Sequence, residues 1–307
     1  MRRVRVFHCD AYAVPLPPGH RFPMPKYRLL RERLLAEGTL RSEDLTPSRP
    51  VELDVLLLVH DRSYVESVVC GGLGDAEVRR LGFPWSEQLV LRSRSSVQGT
   101  VLAARDALCN GVAGNLAGGT HHAFADHGEG YCVFNDHAVA ARLLQLEGRV
   151  DRAVIVDLDV HQGNGTAAIF ASDESVFTFS MHGARNFPFR KQRSSLDVEL
   201  PDGCEDGEYL ALLARHLPAV LDAARADVLF YQGGVDPLAQ DALGRLRLTH
   251  EGLRARDRMV LTAARDRGIP VVLTLGGGYA KPLEASVEAH CGTYREANAV
   301  FGQVPRL

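Results

Sequence analysis

Short apolar, β-branched runs alternating with longer stretches of helical periodicity constrain this chain more than any other feature. The runs are Val4 to Phe7, Val55 to Val59, Ala153 to Leu158, Val176 to Phe179, Val228 to Tyr231 and Val271 to Leu275. Between Glu87 and Cys109, Val90, Val97, Val101, Ala104 and Leu108 keep helical spacing, and similar patterns cover Ala138 to Leu146, Tyr209 to Leu221 and Leu253 to Ala264. Strands separated by helices pair in parallel, because each crossover returns the chain to the same end of the sheet. The reading is therefore α/β, a mostly parallel central sheet with helices on both faces. The stretch Pro15 to Pro18, with Pro23 and Pro25, reads as an ordered loop, and no repeat or low-complexity segment divides the chain. Residues 1–307 are expected to form a single domain.

A net charge of -3 argues against a protein built to grip nucleic-acid phosphates or an anionic membrane. The six cysteines (Cys9, Cys70, Cys109, Cys132, Cys204 and Cys291) show no C-x-x-C spacing, so neither a disulfide framework nor a zinc knuckle is signalled. The N-terminus runs into a β-like stretch without the apolar segment of a signal peptide. A cytoplasmic protein is expected.

In a parallel sheet, ligands bind beyond the carboxyl ends of the strands, so polar residues just after strand-like runs carry the most weight. Ala153-Val154-Ile155-Val156 leads into Asp157-Leu158-Asp159-Val160-His161, and in extended geometry Asp157, Asp159 and His161 share one face. Two carboxylates and an imidazole are costly to bury without a cation. Read alone, the run is also compatible with a solvated strand end. A second exit, Gln232-Gly233-Gly234-Val235-Asp236, brings another carboxylate that either faces the same cleft or caps the next turn. Asp159, His161 and Asp236 together would offer three protein ligands and leave a position open, as a catalytic zinc requires. Gly118-Gly119-Thr120-His121-His122 supplies a His pair on a flexible loop. Gly276-Gly277-Gly278-Tyr279 lets the chain turn sharply and present a phenol. Neither is specific by itself.

In combination and in order, GGTHHA, GYCVFND, DLDVHQGNGT, GGVDPLAQDALGRL and LGGGY resemble the histone deacetylase superfamily, which includes acetylpolyamine amidohydrolases and acetoin-utilisation proteins. The resemblance runs from Phe7-His8-Cys9-Asp10 through Met24-Pro25-Lys26-Tyr27-Arg28 to the glycine–tyrosine segment. It implies the arginase/deacetylase-like fold and a zinc-dependent amidohydrolase, with Asp159, His161 and Asp236 as zinc ligands. By the same resemblance His122 is the general base that later protonates the leaving amine, His121 its electrostatic partner, and Tyr279 the oxyanion donor. Asp157 and Asn164 would orient His121 and His122. Gly130, Tyr131 and Phe187 would line the acyl-amine tunnel. A structural potassium is implied at the carbonyls of Asp157, Asp159, His161, Ser180 and Met181 with the Asp157 side chain. Gln162 and Asn164 stand where many relatives have His and Asp, so the chain looks nearer the class II, class IV and prokaryotic branches.

The implied substrate is an acylated lysine of a protein or a small acylated amine. Alternatives are an acetylpolyamine amidohydrolase and a catalytically silent acyl-lysine reader. The ligand set would also take iron(II) or cobalt(II). Arg185, Arg190, Lys191 and Arg193, with His20, Arg21, Phe22 and Met24, are expected at the tunnel rim, where positive charge would disfavour a polyamine.

Overall fold

The structure, a computed structural model, describes residues 3–302. Its strands are β1 (Arg5–His8), β2 (Leu45–Pro47), β3 (Val112–Asn115), β4 (Ala153–Asp157), β5 (Val176–Gly183), β6 (Leu196–Leu200), β7 (Val228–Gln232) and β8 (Val271–Thr274). They form one 8-stranded sheet in the order β2-β1-β3-β8-β7-β4-β5-β6, with every pair parallel. The helices are α1 (Lys26–Ala36), α2 (Leu53–Leu56), α3 (Arg62–Cys70), α4 (Asp75–Leu81), α5 (Glu87–Asn110), α6 (Asp136–Leu146), α7 (Asn164–Ile169), α8 (Asp206–Ala224), α9 (His250–Asp266) and α10 (Leu283–Phe301). No helix among the described residues is long and apolar enough to cross a membrane.

The strand alternation divides the core into two layers. Ala153 and Ile155 of β4, with Val228 and Phe230 of β7, pack against Ala103, Ala104 and Ala107 of α5 and Ala138 and Ala141 of α6. Val154, Val156, Leu229 and Tyr231 face the opposite way, toward Leu213 and Leu217 of α8 and Leu253, Val260 and Leu261 of α9. Successive side chains of a strand point to opposite faces, so a strand covered on both sides must be apolar at every position. Each fully buried Val, Leu or Ile contributes about 1.5–3 kcal/mol.

One strand expectation fails. Val55 to Val59 is not extended: Leu53–Leu56 is the short helix α2, and Leu56 anchors a third cluster with Tyr64, Val65 and Phe83. A leucine-rich run this short fits either geometry, and here helix propensity prevails. Strands β2, β3 and β6 went unread. The β3 sequence Val112-Ala113-Gly114-Asn115 is poor in β-branched residues because Tyr294 of α10 lies against it, and a Cβ at Gly114 would come within 2.8 Å of that ring. The four adjacent central strands β3, β8, β7 and β4 all end at one edge, so the His-pair, Gly-Tyr, Gly-Asp and Asp-His segments emerge side by side.

Candidate active site and metal centre

Although the β4 ladder stops at Asp157, the alternation persists beyond it: Leu158 and Val160 stay in the core while Asp159 and His161 line the cleft and Asp157 turns to His121 beside it. Asp159, His161 and Asp236 are all buried and each offers a ligand atom within 4.8 Å of the others. The His161 Nδ1 lies 3.0 Å from Asp159 Oδ1 and 3.0 Å from Asp236 Oδ2. The far carboxylate oxygens are held by main-chain donors: the Val160 N–H donates to Asp236 Oδ1 (2.9 Å) and the Gly277 N–H to Asp159 Oδ2 (2.7 Å). This packing leaves no room for a side chain, since a Cβ at Gly234 would overlap the Asp159 carboxylate and one at Gly277 the Asp236 carboxylate.

The electrostatics fit a cation. Burial and the neighbouring Asp159 charge push the Asp236 carboxyl up to about 7. Burial works against a charged His161, but its hydrogen bonds to Asp159 and Asp236 outweigh that and hold it at about 10. Two desolvated acids around one imidazole form a donor set that a divalent ion neutralises, and Asp, His and Asp are ligands for zinc or a similar ion.

His121 and His122 stand beside this cluster with ring centroids 4.0 Å apart. His121 Nδ1 is 2.7 Å from Asp157 Oδ2, and His122 Nδ1 is 2.7 Å from Asn164 Oδ1. Burial opposes a charge on His121, yet the Asp157 and Asp159 charges overcome it and raise its pKa. Burial, then the His121 and His161 charges, hold His122 well below the usual value. The Asn164 Nδ2 donates to Glu129 Oε1 (3.1 Å), which fixes the amide so that its oxygen faces His122. An amide oxygen only accepts, so the proton sits on His122 Nδ1 and the Nε2 lone pair is free.

Tyr279 lines the same cleft, and burial followed by the Asp236 charge keeps its phenol protonated. Its loop is fixed by Asp241, which accepts from the Tyr279 N–H (2.6 Å), the Leu243 N–H (2.8 Å) and the Gly244 N–H (2.9 Å). Gly130, Tyr131 and Phe187 form the walls, Phe187 lying edge-on to His122 at 5.0 Å. Tyr131 holds a φ of 67°, strained for a non-glycine residue, where its ring meets Phe22 and Phe83. Ser180 sits opposite Asp157 in the sheet, with Met181 next along β5.

Sequence reading missed three supports. Glu129 and Asp241 lie in irregular loops and carry no periodic signal. Arg256 did leave a signal, because Arg256-Asp257 interrupts the apolar stripe of α9. The wholly buried Arg256 donates through Nη1 to Leu158 O (3.2 Å) and Gly234 O (2.6 Å), tying together the two strand exits that carry Asp159, His161 and Asp236, and pairs with Asp257 at 2.8 Å.

The rim differs from expectation. Arg21, Phe22 and Arg185 line the cleft of about 620 Å³, but Arg190, Lys191 and Arg193 do not. Lys191 instead turns to donate to the carbonyls of Asn186 and Pro188 (both 2.6 Å). His20 bonds Gly82 O (3.0 Å), and Met24 lines a smaller cavity beneath with Arg92. Arg79, Arg80 and Arg245 take the missing places.

A histone deacetylase domain profile matches residues 20–294. An uncharacterized protein of Picosynechococcus is 47% identical over 96% of this chain and 98% of its own length. Histone deacetylase 2 of Arabidopsis thaliana is 32% identical, covering 92% of this chain and 76% of that protein. The crystal structure of an HDAC homolog from Aquifex aeolicus superposes with a TM-score of 0.85 at 26% identity, covering 99% of this chain and 86% of that one.

Proposed function

This chain belongs to the histone deacetylase superfamily, and we propose that it is a zinc-dependent deacylase that hydrolyses the amide of an acylated lysine side chain or a small acylated amine. The observation that carries the reading is the trio Asp159, His161 and Asp236, gathered within 4.8 Å below an open cleft and next to a buried His pair. Asp159, His161 and Asp236 would hold a divalent ion, which would supply Lewis-acid polarisation of the carbonyl and a more acidic water.

The chain's own residues do the rest. His122 Nε2 takes the proton of the attacking water and returns it to the amine nitrogen as the C–N bond breaks; its depressed pKa keeps it neutral and ready to accept. His121, paired with Asp157, stays protonated and adds positive charge beside the developing oxyanion. Tyr279 donates a hydrogen bond to the carbonyl oxygen as its charge grows. Tyr131 and Phe187 exclude water from an extended acyl-amine chain and Gly130 offers its carbonyl to the amide N–H. A structural potassium is proposed at the carbonyls of Asp157, Asp159, His161, Ser180 and Met181 and the Asp157 side chain. A cytoplasmic location is proposed on the sequence pattern alone, whose cysteines carry no C-x-x-C spacing.

The test separates holding the ion from turning over substrate. Asp159→Ala, His161→Ala and Asp236→Ala are expected to lose metal by elemental analysis. Tyr279→Phe should keep it yet lower kcat by about 10²- to 10³-fold on an acetyl-lysine peptide. Full kcat in Tyr279→Phe would remove the assigned role.

A further inference from the structure

Among the described residues five arginines line the cleft: Arg21, Arg79, Arg80, Arg185 and Arg245. Of the described carboxylates, Asp159 at the floor alone lines it. All five are exposed, and their one ion-pair partner among the described residues is Asp202, 3.1 Å from Arg245 and 3.9 Å from Arg185. This concentration of positive charge stands on a chain whose net charge is -3. The bases of the ring are also tied down. The Gly130 N–H donates to Arg80 O (3.3 Å) and the Tyr131 N–H to Leu81 O (2.8 Å), which stitches the end of α4 to the tunnel wall. His20 bonds Gly82 O, anchoring the Arg21 loop to the same turn. The Asn186 Nδ2 donates to Leu243 O (2.9 Å), joining the Arg185 loop to the Arg245 loop.

We infer that the mouth selects an acylated lysine embedded in an acidic peptide segment. The inference rests on the deacylase reading for the group that enters the tunnel and adds what surrounds that group outside. One carboxylate satisfies one guanidinium bidentately. Five guanidiniums from four separate chain segments call for several anions spaced around the entering side chain, as Asp and Glu on either side of the lysine provide. Attraction at exposed sites is weak per pair, so the ring acts through its sum and through steering, and both fade once salt shortens the screening length to about 8 Å or less.

The test uses metal-loaded full-length protein and acetyl-lysine peptides with acidic, neutral or basic flanks, at about 20 mM and about 300 mM salt. At low salt the acidic peptide should exceed the basic one by about tenfold in kcat/KM, and the ratio should shrink several-fold at high salt. In the Arg79→Glu, Arg80→Glu double variant the acidic-to-neutral ratio should fall toward one or below. Equal kcat/KM for acidic and neutral flanks at low salt overturns the inference. So does an N-acetylated amino acid with a single carboxylate performing as well as the acidic peptide, or a single-stranded oligonucleotide binding more tightly than that peptide. Fluorescence anisotropy of the labelled acidic peptide separates the two readings. Salt-sensitive binding that the double variant loses, with no peptide turned over under any metal, would uphold the ring and remove the deacylase assignment.

Discussion

The floor of the cleft takes its side chains from the exits of four adjacent strands, whereas its mouth takes them from the end of α4 and from three loops. At the floor the Asp-His-Asp and His-pair side chains are buried and carry hydrogen-bond partners: Asp159 with Gly277, Asp236 with Val160, His121 with Asp157, His122 with Asn164. At the mouth the charged groups are exposed, and Asp202 serves two of the five arginines. Pre-ordered partners make the floor a place where chemistry is fixed and errors are costly. The solvated mouth is a place where charge can change which substrate enters without disturbing how it reacts.

The sharpest way to break this contrast is at the His pair. His122→Ala removes the group proposed both to accept and to return a proton and should cost about 10²- to 10⁴-fold in kcat, more than His121→Ala. The pH–rate profile of His122→Ala should lose the limb that reports this base. A more severe loss in His121→Ala, with an unaltered profile for His122→Ala, would reverse the two roles.

The scaffold under the floor should also respond to pH. His60 Nδ1 lies 2.9 Å from Phe124 O and its Nε2 accepts from the Asn135 N–H (3.0 Å), so it braces the loop that carries the His pair. Burial lowers its pKa to about 4. Between that value and the unfolded value of about 6.5 the unfolded chain binds the proton that the folded one refuses. Its contribution is fully present above pH 6.5 and is lost as pH falls toward 4, amounting to about 3 kcal/mol. Urea unfolding across this window should show the decline, and His60→Gln should flatten it. An identical slope in wild type and His60→Gln would take His60 out of the account.

The smallest effect is expected at the mouth. Phe189 is 86% exposed, and Phe189→Ser should move the unfolding free energy by no more than about 0.5 kcal/mol. A loss of several kcal/mol there would mean that the mouth is as tightly built as the floor.

The same contrast governs what could be read from sequence. Floor residues follow strands whose apolar runs are visible, so register alone puts Asp157, Asp159 and His161 on one face, whereas Asp236 after its glycine pair reads equally as a turn cap until the family resemblance is added. Arg79 and Arg80 sit in the last turn of a short helix with no sequence link to the tunnel, and only the backbone bonds from Gly130 and Tyr131 bring them to it. Lys191 was misread for the complementary reason, since a basic residue in the right loop gives no hint that carbonyls of its own turn will capture it. Asp241 acts through three main-chain N–H groups, a role that depends on loop geometry and leaves no pattern in the chain.

The most direct measurement is a metal titration. Chelator-stripped protein would be reconstituted with zinc, iron(II) or cobalt(II), and bound metal per chain read beside the rate of acetyl-lysine hydrolysis. Activity should rise with occupancy and saturate near one ion per chain, and Asp236→Ala should fail to recover it. Undiminished hydrolysis by the stripped protein, or saturation only at two ions per chain, would contradict the single-ion reading.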